Sequence, residues 1–206
     1  MLERRRWLVV GGVAAVVVVA CLGLTVGIGH AIYYKHSDSP SIRWLSRVLP
    51  IPAARVGRTS VLYRDYLKQH DALKHFLASP AAKAQQLNLA LNADLEKNIL
   101  EKLVAQQVLE QAASDRRVTV TDDDVRQSFT QVVAMASSTT PDVGVYLWDN
   151  FGWNEEDFRQ SVVRPALLEE KLTKIMSNEN QGDPGVLSAY MDKQLASKEV
   201  VRYLRF

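Results

Sequence analysis

Between Trp7 and Tyr34 no residue carries a full charge, and Val9 to Leu24 is almost wholly apolar. A helix rises about 1.5 Å per residue, so some 20 residues cross a hydrocarbon core of about 30 Å. The run exceeds that minimum and can cross with tilt. Trp7 at one end and Tyr33 and Tyr34 at the other suit the two headgroup layers. Arg4, Arg5 and Arg6 precede the run, whereas only Lys35 and His36 follow it closely. The positive-inside bias then sets the expected topology: a cytoplasmic flank (1–6), a single-pass anchor in the cytoplasmic membrane (7–34), and the remainder on the extracytoplasmic side.

Two other fates of this run fit the residues less well. A cleaved signal peptide has a shorter apolar core and a small-x-small site at its end, which is not evident here. Val18-Val19-Ala20-Cys21 resembles a permissive bacterial lipobox, which would make Cys21 a lipid-modified N-terminus. Against lipidation, the apolar Leu22, Leu24, Val26 and Ile28 follow the cysteine where lipoproteins turn polar. Gly23 and Gly27 form a GxxxG through which two anchors could pack as a homodimer, although small residues are common in spanning helices.

Charge and cysteine usage narrow the rest. Glu3 against Arg4, Arg5 and Arg6 gives the flank +2, which is also the net charge of the whole 206-residue chain, so residues 35–206 balance to zero. A neutral domain offers no electrostatic reason to bind nucleic acid. Cys21 is the single cysteine, so the folded part holds no internal disulfide and depends on packing.

Residues 35–53 read as a stalk, broken by Ser37 to Ser41 and stiffened by Pro50 and Pro52. Within it, Ile42 to Leu45 with Val48 and Leu49 form a short amphipathic turn, suited either to the membrane surface or to the domain. Arg55 to Leu62 reads as a hairpin turned at Gly57. Tyr63, Tyr66, Leu67, Leu73, Phe76 and Leu77 then recur at helical spacing up to Ser79-Pro80. Leu87, Leu91, Leu95, Ile99 and Leu103 recur every fourth residue, so the longest helix is expected over 81–113 as the scaffold. Thr121 and Asn154 are expected N-caps, with Asp122 to Asp124 and Glu155 to Asp157 in the positive first turns that follow. Pro165 should bend the second of those helices. After a last helix over about 184–197, Val200 to Phe206 alternates as a terminal strand, with the hairpin as its natural partner.

Signals of catalysis are weak. Asp122, Asp123 and Asp124 point about 100° apart on a helix and suit capping better than a metal. His70 and His75 are off the spacing that shares a helix face, and no HExxH, GxSxG, Walker loop or GxGxxG occurs. Glu101-Lys102 and Glu169-Glu170-Lys171 read as solvated helix faces. No cofactor or metal is implied. The one unusual concentration is aromatic: Tyr146, Trp148, Phe151, Trp153 and Phe158. Such clusters are commonly core, but one that lines a cleft would hold hydrophobic polypeptide.

The order of these pieces resembles the N-terminal domain of SurA-type chaperones and of the membrane-anchored foldases related to PpiD and PrsA. Ala54-Arg55-Val56-Gly57-Arg58-Thr59-Ser60-Val61 looks like the family's opening hairpin, with Gly57-Arg58 in place of the usual Asn-Gly. Val118 to Val125 is similar to its "V-T-V-S-D-E-E-V" helix start. Gly152 to Phe158, running on to Leu167-Leu168-Glu169-Glu170-Lys171-Leu172, looks like its "G-(W/L)-x-E-E-D-F … L-L-x-E-K-L" helix. The resemblance spans about 53–206 and implies a mainly α fold: a SurA-like helical domain over 54–206, behind the transmembrane helix, with a small hairpin paired to the terminal strand. Many relatives continue into a parvulin-type isomerase domain where this chain stops, so no isomerase residues carry over. The resemblance therefore implies a non-enzymatic holdase. It would bind unfolded or newly translocated polypeptide in a cleft between the long helix and the bent helix after Asn154. The rival expectation is an envelope scaffold that docks one folded partner.

Overall fold

The computed structural model describes residues 26–85, 90–136 and 142–206. It is mainly helical, with one three-stranded antiparallel sheet of order β2-β1-β3. Strand β1 (Pro52–Val56) pairs with β2 (Thr59–Leu62) through Val56↔Thr59, so Gly57 and Arg58 form the whole turn. Gly57 adopts φ +55°, a region that costs other residues steric strain. Strand β3 (Val200–Arg202) lies on the other edge of β1, with Ala54 opposite Arg202. The expected pairing of the domain's two ends is thus present.

Nine α-helices with complete bounds surround this sheet among the described residues, beginning with α1 (Pro40–Val48) and α2 (Tyr63–Ala78). The expected helix over 81–113 is corrected by the structure. A short helix α3 (Pro80–Ala84) ends early, and the scaffold helix α4 starts only at Ala93, running to Asp115. Asn92 fixes that start: its side chain accepts from the Leu95 amide at 2.9 Å, with Asp94 and Glu96 in the first turn. Leu91 therefore precedes the helix, and Leu87 falls outside the described residues.

Helix α4 unites two cores. Ile99, Leu100, Val104 and Val108 pack with Val56, Val61, Tyr63, Tyr66 and Val200 beside the sheet. Leu109, Ala112 and Ala113 pack with Leu168, Leu172 and Met176 of α8 (Arg164–Glu179) and with Leu187 of α9 (Val186–Leu195). Helix α5 (Asp122–Ala136) opens on the expected cap: Thr121 Oγ1 accepts from the Asp124 amide at 3.1 Å, and Asp124 accepts from the Thr121 amide at 2.9 Å. Asn154 and Asp157 make the same reciprocal pair at the start of α7 (Glu155–Phe158).

The irregularity expected at Pro165 takes a definite form. Arg159–Val163 is a π turn, and the Arg164 amide bonds the Arg159 carbonyl five residues back. Pro165 has no amide to offer the Ser161 carbonyl, so the widened turn precedes it. Helix α6 (Val143–Phe151) ends at Gly152, φ +64°, whose amide caps the Leu147 and Trp148 carbonyls.

The segment 35–53 is not a detached stalk: α1 buries Ile42 and Ser46 against the domain. The packed unit reaches further upstream. Residues 26–33 are helical, Ile32 is 1% exposed within the core, and the Arg205 amide donates to the Tyr33 carbonyl at 2.9 Å. Among the described residues no helix is long and apolar enough to cross a membrane. Most of the expected anchor, with Cys21 and Gly23, lies outside the described residues. A Cβ on Gly27 would meet nothing within 4 Å, which leaves that position open to a neighbour.

Candidate functional site

One face of α4 is left partly uncovered. Toward its start, Leu95, Asn98, Ile99 and Lys102 line a depression of about 330 Å³ whose far wall is α2. Toward its end, Lys102, Ala105, Gln106 and Leu109 line a second of about 440 Å³, walled by α8 and α9. The two share Lys102, so they lie end to end along one face of α4, together called the groove below. Leu95 and Leu109 are 14 positions apart, about 21 Å along a helix.

The first depression is the more apolar. Helix α2 gives it Ala72, Leu73 and Phe76, and the turn after α6 gives Phe151 and Trp153. These rings are stacked: Phe76 on Phe151 at 5.3 Å between centroids, and Phe151 on Trp153 at 5.5 Å. Gly152 makes that arrangement possible, since it turns the chain between the two aromatics while lying against the His75 ring. His75 also pairs with the Asp149 carbonyl at 3.1 Å.

Of the five aromatic residues singled out by sequence, Phe151 and Trp153 line the groove. Trp153 is mostly buried, with its indole nitrogen unpartnered among the described residues. Tyr146 meets the edge of Phe151 at 6.4 Å from the outer side. Trp148 is 63% exposed and lines neither depression. Phe158 sits in a satellite core against Phe129 at 6.1 Å. The expected cleft between the long helix and the bent helix corresponds to the second depression. The aromatic rings belong to the first. Helix α2 is the wall sequence reasoning missed, because Leu73 and Phe76 gave a core stripe with no sign of being half-covered.

A third depression, of about 660 Å³, is a different kind of place. Arg55, Arg58 and Lys198 mix there with Glu110, Asp115 and Glu199, so it suits water better than an apolar ligand.

A polar cluster joins the upstream segment to α2 and α4. Glu96 accepts from His36 Nδ1 at 2.9 Å and lies 3.6 Å from His70 Nε2. Burial pushes the Tyr63 and Tyr66 hydroxyls up, with Asp38 and Glu96 adding to Tyr63 and Glu96 adding to Tyr66. Asp38, His70 and Asp71 are the one group among the described residues close enough to hold a cation. Arg43 already occupies it, taking both Asp71 oxygens at 2.5 and 2.7 Å and one Asp38 oxygen at 3.3 Å. Burial raises the Asp38 carboxyl, but Arg43 and Lys74 outweigh it and hold it below its ordinary value. A guanidinium bound this way leaves a metal little negative charge to meet.

Comparison with known families decides the lineage. A model described as the SurA-like N-terminal domain matches residues 1–172. The chain belongs to that family. Membership agrees with the hairpin, cap and helix motifs described above, and the family is a chaperone-like one. No curated protein and no solved structure matches the chain.

Proposed function

We propose that this SurA-like domain is a membrane-anchored holdase on the extracytoplasmic side, gripping extended apolar stretches of unfolded or newly translocated polypeptide along α4. The groove carries the reading. Its length of about 21 Å matches six residues of extended chain at about 3.3 Å each. Stacked rings at one end bury apolar side chains without demanding one sequence, and the mostly apolar lining of that first depression makes binding weak and tolerant. Family membership supports the same role. The anchor is the uncharged run from Trp7, oriented by Arg4 to Arg6. Gly23 and Gly27 provide a face on which two anchors could pair. The role rests on binding alone, with no catalytic step.

The test is aggregation of an unfolded client in the presence of the full chain in lipid nanodiscs. Protection at near-equimolar ratio is expected, and none at several-fold excess overturns the reading. Prolyl isomerase activity in the same sample would overturn the non-enzymatic part. A reporter fused after Phe206 should be active outside the cytosol.

A second reading has one observation behind it. Val145, Tyr146 and Trp148 are exposed together on α6, outside the groove. An apolar patch of this kind suits docking on a single folded partner. Crosslinking from position 148 would then give one dominant product, where a holdase gives many.

A further inference from the structure

Helix α1 has two faces. Ile42 and Ser46 are buried on the domain, and Arg43 fastens that side to Asp71. On the other, Trp44 and Val48 are 63% and 61% exposed, and Leu49, just past the helix end, is 48% exposed. Between α1 and α2, Arg43, Ser46 and the exposed Arg47 line a notch of about 250 Å³ with Arg64, Leu67, Lys68 and Asp71, so basic side chains outnumber the one carboxylate there. Lys68 is paired with Asp157 at 2.6 Å, and Arg64 makes only a loose contact with Asp65 at 3.9 Å. Helix α1 carries no acidic residue. Apolar side chains flanked by basic ones are the pattern of a helix lying in a headgroup layer.

The chain upstream identifies what covers this face. Helix α1 starts six positions after Tyr34, where the uncharged run ends. At about 3.5 Å per residue that link reaches at most about 20 Å. The link is not free, either. Ile32 is in the core, the Tyr33 carbonyl is held by the Arg205 amide, and His36 is held by Glu96. The exit of the apolar run and α1 thus belong to one packed body.

We propose that α1 lies on the bilayer that holds the anchor, with Trp44, Val48 and Leu49 in the interfacial layer and Arg47, Arg64 and Lys68 against anionic phospholipid headgroups. The domain is then held at a fixed tilt instead of swinging on a tether. This rests on the anchor reading, and the experiment separates the two.

The full chain carrying Cys21→Ser is reconstituted into phosphatidylcholine vesicles with and without phosphatidylglycerol. A polarity-sensitive fluorophore is attached at Trp44→Cys, at Val48→Cys or at Trp148→Cys, the last being as exposed as Trp44. Labels at 44 and 48 should be quenched by a headgroup-level lipid quencher, more strongly with phosphatidylglycerol present, while the label at 148 answers only to aqueous iodide. Neutralisation by Arg47→Gln and Arg64→Gln should lower the docked-to-free ratio about fivefold per side chain. Labels at 44 and 48 that stay aqueous, or that ignore lipid charge, in vesicles with which the chain co-floats would overturn the proposal. A chain that fails to co-float overturns the anchor reading instead.

Discussion

Arg202 holds both carboxylate oxygens of Glu101, at 2.6 and 2.7 Å, and so fastens the last strand to the middle of α4. Glu101 keeps the Arg202 guanidinium charged more firmly than usual, against the opposing cost of burial. Each side chain is about one-third exposed, so solvent screens the pair and its worth is modest. Arg202→Ala should cost about 1 kcal/mol, the upper end for such a pair, because the geometry is bidentate. Thermal unfolding should shift down by about 2–4 °C for a domain of this size. A shift below one degree would show the contact to be ornamental.

The cap of α5 sets a pH signature. Lys171 at 2.7 Å, followed by the Thr121 amide and hydroxyl, holds the Asp124 carboxyl at about 2, below its ordinary 3.8. The folded value is the depressed one, so this contribution is complete above about 3.8 and disappears as pH falls through about 2. Asp124→Asn keeps an acceptor for the Thr121 amide but removes the charge. Urea unfolding between pH 2 and 6 should lose part of its acid slope in the variant. Identical slopes would deny Asp124 that role.

Buried hydroxyls without partners predict the opposite sign. Tyr66 is fully buried, stacked on Tyr63 at 5.6 Å, and its hydroxyl has no hydrogen-bond partner among the described residues. Tyr66→Phe keeps the ring and removes the unpaired group, so it should be neutral or stabilising by up to about 1 kcal/mol. Tyr63→Phe is the contrast, because its hydroxyl donates to the Ser37 carbonyl at 3.0 Å. That variant should lose about 1 kcal/mol. Paired melting curves decide, and equal losses would mean that Tyr66 has a partner after all.

These residues show what sequence makes legible. Caps at Thr121 and Asn154 were readable because an N-cap is a local event, decided within four residues. The sheet between the chain's ends was readable because alternation at Val200 to Phe206 needed a partner edge. The start of α4 is not legible, because Leu87 and Leu91 continue the stripe and outweigh the local capping signal of Asn92. Pairings across long separations left no trace: Glu101 and Lys171 read as solvated faces, yet they hold Arg202 and Asp124. The candidate site was half legible for the same reason. Aromatic residues announce themselves, but which ring faces a gap depends on how α2 and α6 meet, and Gly152 alone hints at the turn that stacks Phe151 and Trp153.

Groove and patch can be separated by two substitutions. Ala105 lines the second depression and is only partly buried, so Ala105→Trp fills space open to solvent and should leave the melting temperature nearly unchanged. If clients lie along α4, the indole competes with them, and protection against aggregation should fall severalfold. Trp148→Ala removes the most exposed large aromatic of α6 without touching either depression. Protection should survive it. Loss on Trp148→Ala with none on Ala105→Trp would move the binding surface to α6 and favour a single docked partner over a sequence-tolerant grip.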